Sequence, residues 1–141
     1  MSPRDAADYL EFAYHTALAA GAAILPHFRE AIAVEDKRNF MGYDPVTIAD
    51  RDAEAVIRAA IKRAYPDHGI HGEEHGRETG TAPCTWVIDP IDGTKSFILG
   101  QLHWGVLIAL HDGTRPVAGV VHQPYVGETF VGAAGGRAQW R

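Results

Sequence analysis

Two helical apolar stripes followed by a run of strand-like segments constrain the fold of this chain more than any other feature. In residues 4–30, apolar side chains recur at three- and four-residue steps, which predicts an amphipathic helix with an alanine-rich face. Pro26 is expected to bend or shorten that helix. A second helix is predicted over residues 47–65, ending before Pro66. Its predicted buried face comprises Ala53, Val56, Ile57, Ala60, Ile61 and Ala64.

The segments after the second helix have the composition of strands and turns. Residues 86–88 form a short apolar strand. Residues 103–110 and 115–123 predict longer strands joined around Asp112-Gly113, a strong hairpin signal. Residues 128–132 add another antiparallel strand. Because the helices come first and the strands follow, we predict an α+β fold in which two helices pack on an antiparallel sheet.

Two further segments are irregular in sequence. Residues 34–45 are polar and contain Asn39, Gly42 and Pro45, which predicts a mobile loop. Residues 132–141 read like the middle of a strand-and-turn passage rather than the edge of a domain. We therefore expect residues 1–141 to form a single domain that is truncated at its C-terminal side.

Charge and cysteine content narrow the class of protein. The formal net charge is −5 and no long basic run exists, which argues against a nucleic-acid partner. An anionic substrate would then need metal ions or backbone dipoles for its positive potential. Cys84 is the only cysteine, and we find neither a signal-peptide pattern nor an apolar run near the ~20 residues of a membrane span. We expect a cytoplasmic protein that does not bind membranes.

The acidic pair Asp89 and Asp92 stands in the segment Trp86-Val-Ile-Asp-Pro-Ile-Asp-Gly-Thr94. Pro90 fixes its own φ and Gly93 permits a bend, so both carboxylates can reach one small volume. A short helix after Gly93 would present backbone N–H groups to an anion. Mg²⁺ suits such a site because it takes oxygen ligands and binds substrate phosphate. An ordinary Asp-Gly turn capped by Asp89 remains the alternative.

A second acidic pair, Glu73-Glu74, follows the strand-like residues 69–72. Adjacent side chains on extended backbone point to opposite sides, so one glutamate can reach a metal while the other supports it. The alternative is a pair of solvated surface residues. His71 and His75 have the spacing of a zinc helix, but the glutamate position and the flanking glycines argue against zinc.

Asp50 and Lys37 have both structural and functional interpretations. Residues 47–50 have the form of a capping box, in which Thr47 and Asp50 satisfy the first N–H groups of the second helix. A helix start can also form the wall of a site, so Asp50 can support a metal through water. Lys37 is either solvated or close to a metal-bound water or a phosphate.

Three segments in this order resemble the signatures of the inositol monophosphatase family: Pro45-Val-Thr-Ile-Ala-Asp50, Gly72-Glu73-Glu74 and residues 86–94. The resemblance covers nearly the whole chain, including the two leading helices. It implies the N-terminal part of a layered αβαβα fold. It also implies Mg²⁺-dependent hydrolysis of a small phosphate monoester, with two or three Mg²⁺ ions.

The resemblance also implies roles for the acidic residues. Glu73, Asp89 and the Ile91 carbonyl would bind one metal ion, and Asp89 with Asp92 would bind a second. Glu73 and Thr94 would orient the attacking water.

Supporting roles are expected for the residues around these groups. Asp50 would assist catalysis, and the N–H groups of Gly93 and Thr94 would hold the phosphate. Glu74, Lys37 and Thr47 would support these groups from behind.

Residues 94–98, 104–110 and 122–124 are similar to the histidinol-phosphate phosphatase branch of that family. We therefore expect hydrolysis of L-histidinol phosphate to histidinol and phosphate, a step of histidine biosynthesis, by a homodimer. A phosphatase for inositol-1-phosphate or a nucleotide 3′-phosphate stays open, as does a non-catalytic metal-binding or interaction module. Family members are longer, and a later aspartate completes their second metal site. For the chain alone we expect weak or absent turnover.

Overall fold

Helices α1 (Pro3–Ile24) and α2 (Ile48–Ala64) pack against each other and cover one face of a seven-stranded sheet. The computed structural model describes residues 3–38, 40, 42 and 44–141. α1 passes into a short 3₁₀ helix, Leu25–His27, that contains Pro26, so the proline ends the α-helix as predicted. The α+β class and both predicted helices are confirmed.

The sheet is mixed rather than antiparallel. Its strands are β3 (Gly69–Gly72), β4 (Gly76–Glu78), β5 (Thr85–Asp92), β6 (Gly105–His111), β7 (Pro116–Gln123), β8 (Glu128–Ala133) and β9 (Gln139–Trp140). They lie in the order β4-β3-β5-β6-β7-β8-β9. β3 and β5 pair in parallel because β4 reverses the chain between them, while the other pairs are antiparallel. The prediction missed β4 and ended β5 four residues too early.

The predicted mobile loop at residues 34–45 is wrong at both ends. β1 (Val34–Asp36) and β2 (Pro45–Thr47) pair in antiparallel fashion there. The Asp36 carboxylate accepts hydrogen bonds from the backbone N–H groups of Arg38 and Asp44, which closes the hairpin. Residues 39, 41 and 43 of this segment lie outside the described residues. β2 runs directly into α2, so this hairpin fixes where α2 begins.

The core lies between the two helices and the sheet. Alanines on one face of α1 are fully buried, and their small side chains let the helix approach the sheet closely. On α2 the buried positions include Glu54 and Arg58, whereas Val56 and Ala64, predicted as buried, are exposed. Among the described helices, none is long and apolar enough to cross a membrane. The main core residues are Ala13, Ala17, Ala20, Ile24, Ala53, Ile57, Ile61, Trp86, Ile88, Val106, Ile108 and Leu110.

The sheet face opposite the helices carries apolar side chains that are partly exposed. Strand pairing aligns one row across it, formed by Asp89, Leu107, Val121, Phe130 and Trp140. Val121 is 47% exposed, Phe130 52% and Trp140 69%. We call this row with its apolar neighbours the open face. It begins at Asp89, so an acidic side chain of the predicted site borders it.

The crossing of α1 over β7 depends on Gly21. A Cβ atom at this position would lie 2.8 Å from Pro124 Cγ and 2.9 Å from His122 Nε2. Neither neighbour yields easily, because proline is a rigid ring and the His122 ring is held by Thr129 at 2.8 Å. The glycine therefore sets how closely the helix lies on the strand.

We predict that Gly21→Val lowers the free energy of unfolding by about 2 kcal/mol, because the added atoms overpack this crossing. Ala22→Val is the matched control, since Ala22 is exposed on the same helix and loses only about 0.5 kcal/mol of helix propensity. Urea denaturation followed by circular dichroism measures both. Equal losses in the two variants would contradict the close crossing.

Stability should also fall in mild acid because of His122. Burial lowers the pKa of His122, an effect that a backbone hydrogen bond at Glu128 partly offsets. The folded chain thus keeps this ring neutral at a pH where the unfolded chain takes up a proton. The stability that the neutral His122 ring contributes is complete above the pKa of about 6.5 in the unfolded chain, and it is lost as pH falls below that value.

Between about pH 7.5 and about pH 5.5 we expect the free energy of unfolding to drop by about 1 kcal/mol on account of His122. The drop should be smaller in His122→Gln, which has no titratable ring. Urea titrations at both pH values test this, with the change between pH values as the quantity compared. An unchanged drop in the variant would assign the acid sensitivity to other groups.

Candidate functional site

A cavity of about 220 Å³ opens where the β3–β4 turn meets the end of β5. We call it the acidic pocket. It is lined by Asp44, Pro45, Glu73, Asp89, Ile91, Asp92, Gly93, Thr94 and Lys95. Every residue predicted to contact metal or phosphate is therefore brought to one place, although these residues come from two separate segments of the chain.

Asp89 and Asp92 face the same pocket because β5 contains a bulge between them. Asp89 pairs with Leu107 and Asp92 with Gly105, so three steps along β5 match two along β6. Side chains alternate along a regular strand, and residues three apart would point to opposite faces. The extra residue of the bulge restores a common side. Pro90 stands inside the bulge, where a residue without a ladder N–H is tolerated.

The Asp89 carboxyl group lies beside that of Glu73 in the acidic pocket, close enough for the hydrogen bond and charge of Glu73 to act on it. Asp89 Oδ1 is buried and finds no hydrogen-bond partner among the residues that the structure describes. Burial raises the pKa of Asp89 well above its usual range, and the hydrogen bond and charge of Glu73 and the charge of Asp92 raise it further.

The donor chemistry of the pocket fits a hard divalent cation. Mg²⁺ takes carboxylate and carbonyl oxygens and keeps several waters, and the orphaned Asp89 oxygen lacks such a partner. Across residues 3–38, 40, 42 and 44–141, no three His, Cys, Asp or Glu side chains converge closely enough to hold a metal ion by themselves. A cation here would depend on the Ile91 carbonyl, water and a substrate oxygen besides Glu73 and Asp89.

Glu73 and Glu74 point in different directions from the turn between β3 and β4. The Glu73 side chain is 45% exposed and lines the pocket, whereas that of Glu74 is 3% exposed. Their divergence agrees with the sequence prediction, although the backbone forms a turn rather than an extended strand. The interpretation of Glu74 as solvated surface is wrong.

Lys37 joins the turn to the hairpin of β1 and β2. Its Nζ donates to both Glu74 carboxylate oxygens at 3.1 and 2.9 Å and lies 4.0 Å from Glu73 Oε1. Burial lowers the pKa of Lys37, but the hydrogen bond and charge of Glu74 outweigh this and leave the pKa raised. Burial raises the pKa of Glu74 in spite of the same bond. Lys37 therefore supplies positive charge immediately behind Glu73.

Asp50 serves both interpretations that the sequence left open. Its Oδ2 accepts from the Thr47 backbone N–H at 2.9 Å and from the Thr47 hydroxyl at 2.6 Å, which caps α2. Its Oδ1 lies 2.9 Å from Thr94 Oγ1, which is also 3.0 Å from the Ile91 carbonyl oxygen. Asp50 is 1% exposed. One buried carboxylate thus ties the start of α2 to the pocket wall.

Gly93 makes the turn from β5 into α3 (Thr94–Ile98). Its φ of 89° lies in the left-handed region, where side chains are disfavoured. A Cβ atom there would also overlap the carbonyl oxygen of His103. The glycine is thus required for Thr94 to follow Asp92 directly into the pocket.

Four charged residues at or beside the pocket were not predicted. Asp44 and Lys95 line it. Each adjoins a predicted motif, and that adjacency was the available signal. Glu54 and Arg58 lie behind the β3–β4 turn and bond to it. Charged residues at buried helix positions look like exposed ones in a sequence, so periodicity alone could not find them.

Most of this chain is similar in sequence to known proteins. A sequence model of the inositol monophosphatase family matches residues 5–141. The histidinol-phosphatase of Streptomyces coelicolor is 43% identical over 131 residues, which is 89% of this chain and 48% of that protein. The inositol-1-monophosphatase of Synechocystis is 40% identical over 131 residues, covering 92% of this chain and 45% of that protein.

Solved structures share the fold. The extragenic suppressor protein SuhB from Bartonella henselae superposes with a TM-score of 0.88 at 29% identity, covering 95% of this chain and 52% of that one. The chain therefore spans about half the length of the relatives it matches. That residues 1–141 form one domain stays a prediction.

The link between Asp50 and Thr94 leads to a testable expectation. Thr94→Val should lower the free energy of unfolding by about 1–2 kcal/mol, because buried Asp50 loses a hydroxyl donor to its charge. Thr94→Ser keeps the hydroxyl and should lose much less. Urea denaturation of both variants measures the difference. Similar losses would mean that the methyl group of Thr94, and not its hydroxyl, holds the pocket wall.

Proposed function

Because the chain belongs to the inositol monophosphatase family, we propose that it supplies the acidic half of a Mg²⁺-dependent phosphatase for small phosphate monoesters. The observation that carries the proposal is the Asp89 carboxyl group. It is partly buried, it lies beside the Glu73 carboxyl, and its buried Oδ1 has no partner among the described residues. A cation bound at that point would supply the partner that this oxygen lacks.

The Glu73 and Asp89 carboxylates with the Ile91 carbonyl would hold one Mg²⁺ ion, and Asp89 with Asp92 would hold a second. When bound, the metal lowers the pKa of a water molecule and neutralises charge on the attacking and leaving oxygens. Two or three ions are the number that the resemblance implies. The four groups line the same wall of the acidic pocket, which supports this assignment.

The residues around the cation would orient water and substrate. Glu73 and the Thr94 hydroxyl would align the attacking water, and Asp50 would assist by keeping that hydroxyl in place. Glu74 and Lys37 would support Glu73 from behind the turn, and Thr47 would hold Asp50. Water would attack phosphorus directly, with no serine, cysteine or histidine nucleophile.

The phosphate would be held by the backbone N–H groups of Gly93 and Thr94. Lys95 lines the same pocket and would add positive charge for an anionic substrate. This role for Lys95 goes beyond what the motifs alone implied. It fits the negative net charge of the chain, because the phosphate needs a local source of positive potential.

L-Histidinol phosphate is the substrate that we propose, because residues 94–98, 104–110 and 122–124 resemble that branch. The relatives named above carry two different substrate names. Inositol-1-phosphate and a nucleotide 3′-phosphate are the alternatives within the family. A phosphate-release panel with these three compounds, run on a protein of family length that contains this chain, decides among them.

A non-catalytic magnesium-binding or interaction module is the rival from another class. The chain spans about half the length of its relatives, so the rival applies if these 141 residues act alone. Calorimetry with Mg²⁺ beside a phosphatase assay separates the two. Turnover supports the enzyme, whereas Mg²⁺ binding without turnover by both this chain and a protein of family length that contains it supports the module.

Homodimer formation and a cytoplasmic location stay proposals. The partly exposed side chains of the open face support self-association, because apolar surface of this kind favours contact with another chain. Sedimentation velocity at several protein concentrations measures it.

Asp89→Asn gives the sharpest test of the metal site. The substitution removes the repulsion with Glu73, so we expect unchanged or higher thermal stability without metal and loss of the Mg²⁺-induced rise in melting temperature. Asp52→Asn is the charge-matched control, since Asp52 is exposed on α2 and does not line the pocket. It should keep the Mg²⁺ response.

In a protein of family length, the same Asp89→Asn substitution should abolish Mg²⁺-dependent phosphate release while the fold persists. Normal magnesium-dependent turnover in that variant would refute the proposed function.

A further inference from the structure

Glu54 and Arg58 form a buried ion pair one turn apart on α2. Glu54 is 0% exposed and Arg58 is 6% exposed. Arg58 Nε donates to Glu54 Oε1 at 2.8 Å. Neither residue lines the acidic pocket, and neither has a role in the function proposed above.

The remaining bonds of this pair go to the turn that carries Glu73. Glu54 Oε2 accepts from the Glu74 backbone N–H at 2.7 Å, and Oε1 accepts from the His75 backbone N–H at 3.0 Å. Arg58 donates through Nη2 to the Gly76 carbonyl oxygen. Three consecutive residues after Glu73 are thereby fastened to one helix.

Arg58 also reaches the strand beyond the turn. Its Nη1 donates to Glu78 Oε1 at 2.7 Å. The guanidinium therefore contacts carboxylates on α2 and β4 and a carbonyl between them, and its planar fork makes these contacts in a fixed geometry. The pair thus holds three consecutive residues, Glu74, His75 and Gly76, rather than one point.

The sequence makes room for this contact immediately before Glu73. A Cβ atom at Gly72 would overlap the Glu54 carboxylate and would lie 2.8 Å from Arg58 Nη2. Gly72 thus lets the buried pair approach the backbone of the turn. No side chain larger than hydrogen fits at that position without moving the pair.

Attaching a helix to a turn through a buried ion pair costs desolvation free energy. Removing two charges from water is repaid only when geometry is good and further hydrogen bonds satisfy both partners, and apolar residues of similar volume are often as stable. Apolar side chains, however, cannot accept from the N–H groups of Glu74 and His75. What the pair adds is a fixed orientation of the turn.

This orientation matters because the Glu73 side chain is 45% exposed and is therefore held only weakly by packing around it. The Glu73 backbone N–H itself donates to the Ile88 carbonyl at 3.3 Å, a long hydrogen bond. The short bonds to Glu54 begin at the next residue.

We propose that Glu54 and Arg58 are positioning residues that hold Glu73 against Asp89 for cation binding. The inference rests on the proposed function, because it takes Glu73 as a metal ligand. The pair touches neither metal nor substrate and acts through the backbone of residues 74–76.

Glu54→Gln in the 141-residue chain tests the proposal, because it keeps the shape and removes the charge. We expect the Mg²⁺ dissociation constant from calorimetry to rise at least about tenfold. Amide hydrogen exchange of Glu74 and His75, measured by NMR without metal, should accelerate about tenfold or more. Ile57→Val, a core substitution on the same helix, should lower the melting temperature and leave both readings unchanged.

Gly72→Ala disturbs the same contact from the other side and keeps both charges. It should reproduce the loss of Mg²⁺ affinity and the faster exchange, even if Glu54→Gln does not fold. Gly119→Ala is its matched control, since a Cβ atom there meets nothing within 4 Å. Its Mg²⁺ affinity should equal that of the unchanged chain.

Three results would overturn the proposal. One is Mg²⁺ affinity within about twofold of the unchanged chain in Glu54→Gln or Gly72→Ala. Another is unchanged exchange at Glu74 and His75 in these variants. The third is an equal loss of affinity in Ile57→Val, which would reveal a merely structural role.

Failure of the proposed function gives a different pattern. If the unchanged chain binds no Mg²⁺, the metal assignment fails for this chain. The exchange rates then decide alone whether the pair fixes the turn: faster exchange in the variants supports it, and unchanged exchange overturns it.

Discussion

Contact between the carboxyl groups of Glu73 and Asp89 is the constraint on which the rest of the site depends. Burial and the charges of Glu73 and Asp92 oppose ionisation of the Asp89 carboxyl, so the two carboxyls would separate if either stood on a flexible segment. The fold counters this from both sides. The bulge in β5 aims Asp89 at the pocket, and bonds from Lys37 to Glu74 hold the opposing turn. A divalent cation would relieve the repulsion between the two carboxyls. The closeness of these groups would therefore both destabilise the site without a cation and create its affinity for one.

Helix α2 connects the two walls of the pocket. Its first turn presents Asp50 to Thr94, beside α3, and its next turns present Glu54 and Arg58 to the segment after Glu73. These residues follow one another at steps of four, so they lie along one side of the helix. A rigid helix thereby sets the spacing between segments that are far apart in the chain. This also explains why α2 buries Glu54 and Arg58, two charged residues outside its predicted apolar face.

The sequence predicted the elements better than their pairing. Both helices were predicted because apolar periodicity reports burial directly. The parallel pairing of β3 with β5 was missed, because it depends on β4, a short exposed strand with no apolar pattern.

Within the site, the motif residues were predicted and do lie together, whereas Lys95 and Asp44 were overlooked beside them. Glu54 and Arg58 were not predicted because their burial is visible only once the turn has folded over them.

At the open face, the shared row of Asp89, Leu107 and Val121 has an energetic consequence. Any polypeptide that covers these strands also excludes solvent beside the Asp89 carboxylate, where a lower dielectric strengthens its attraction for a cation. The covering polypeptide and the cation would then each raise the affinity of the chain for the other, because such coupling is reciprocal.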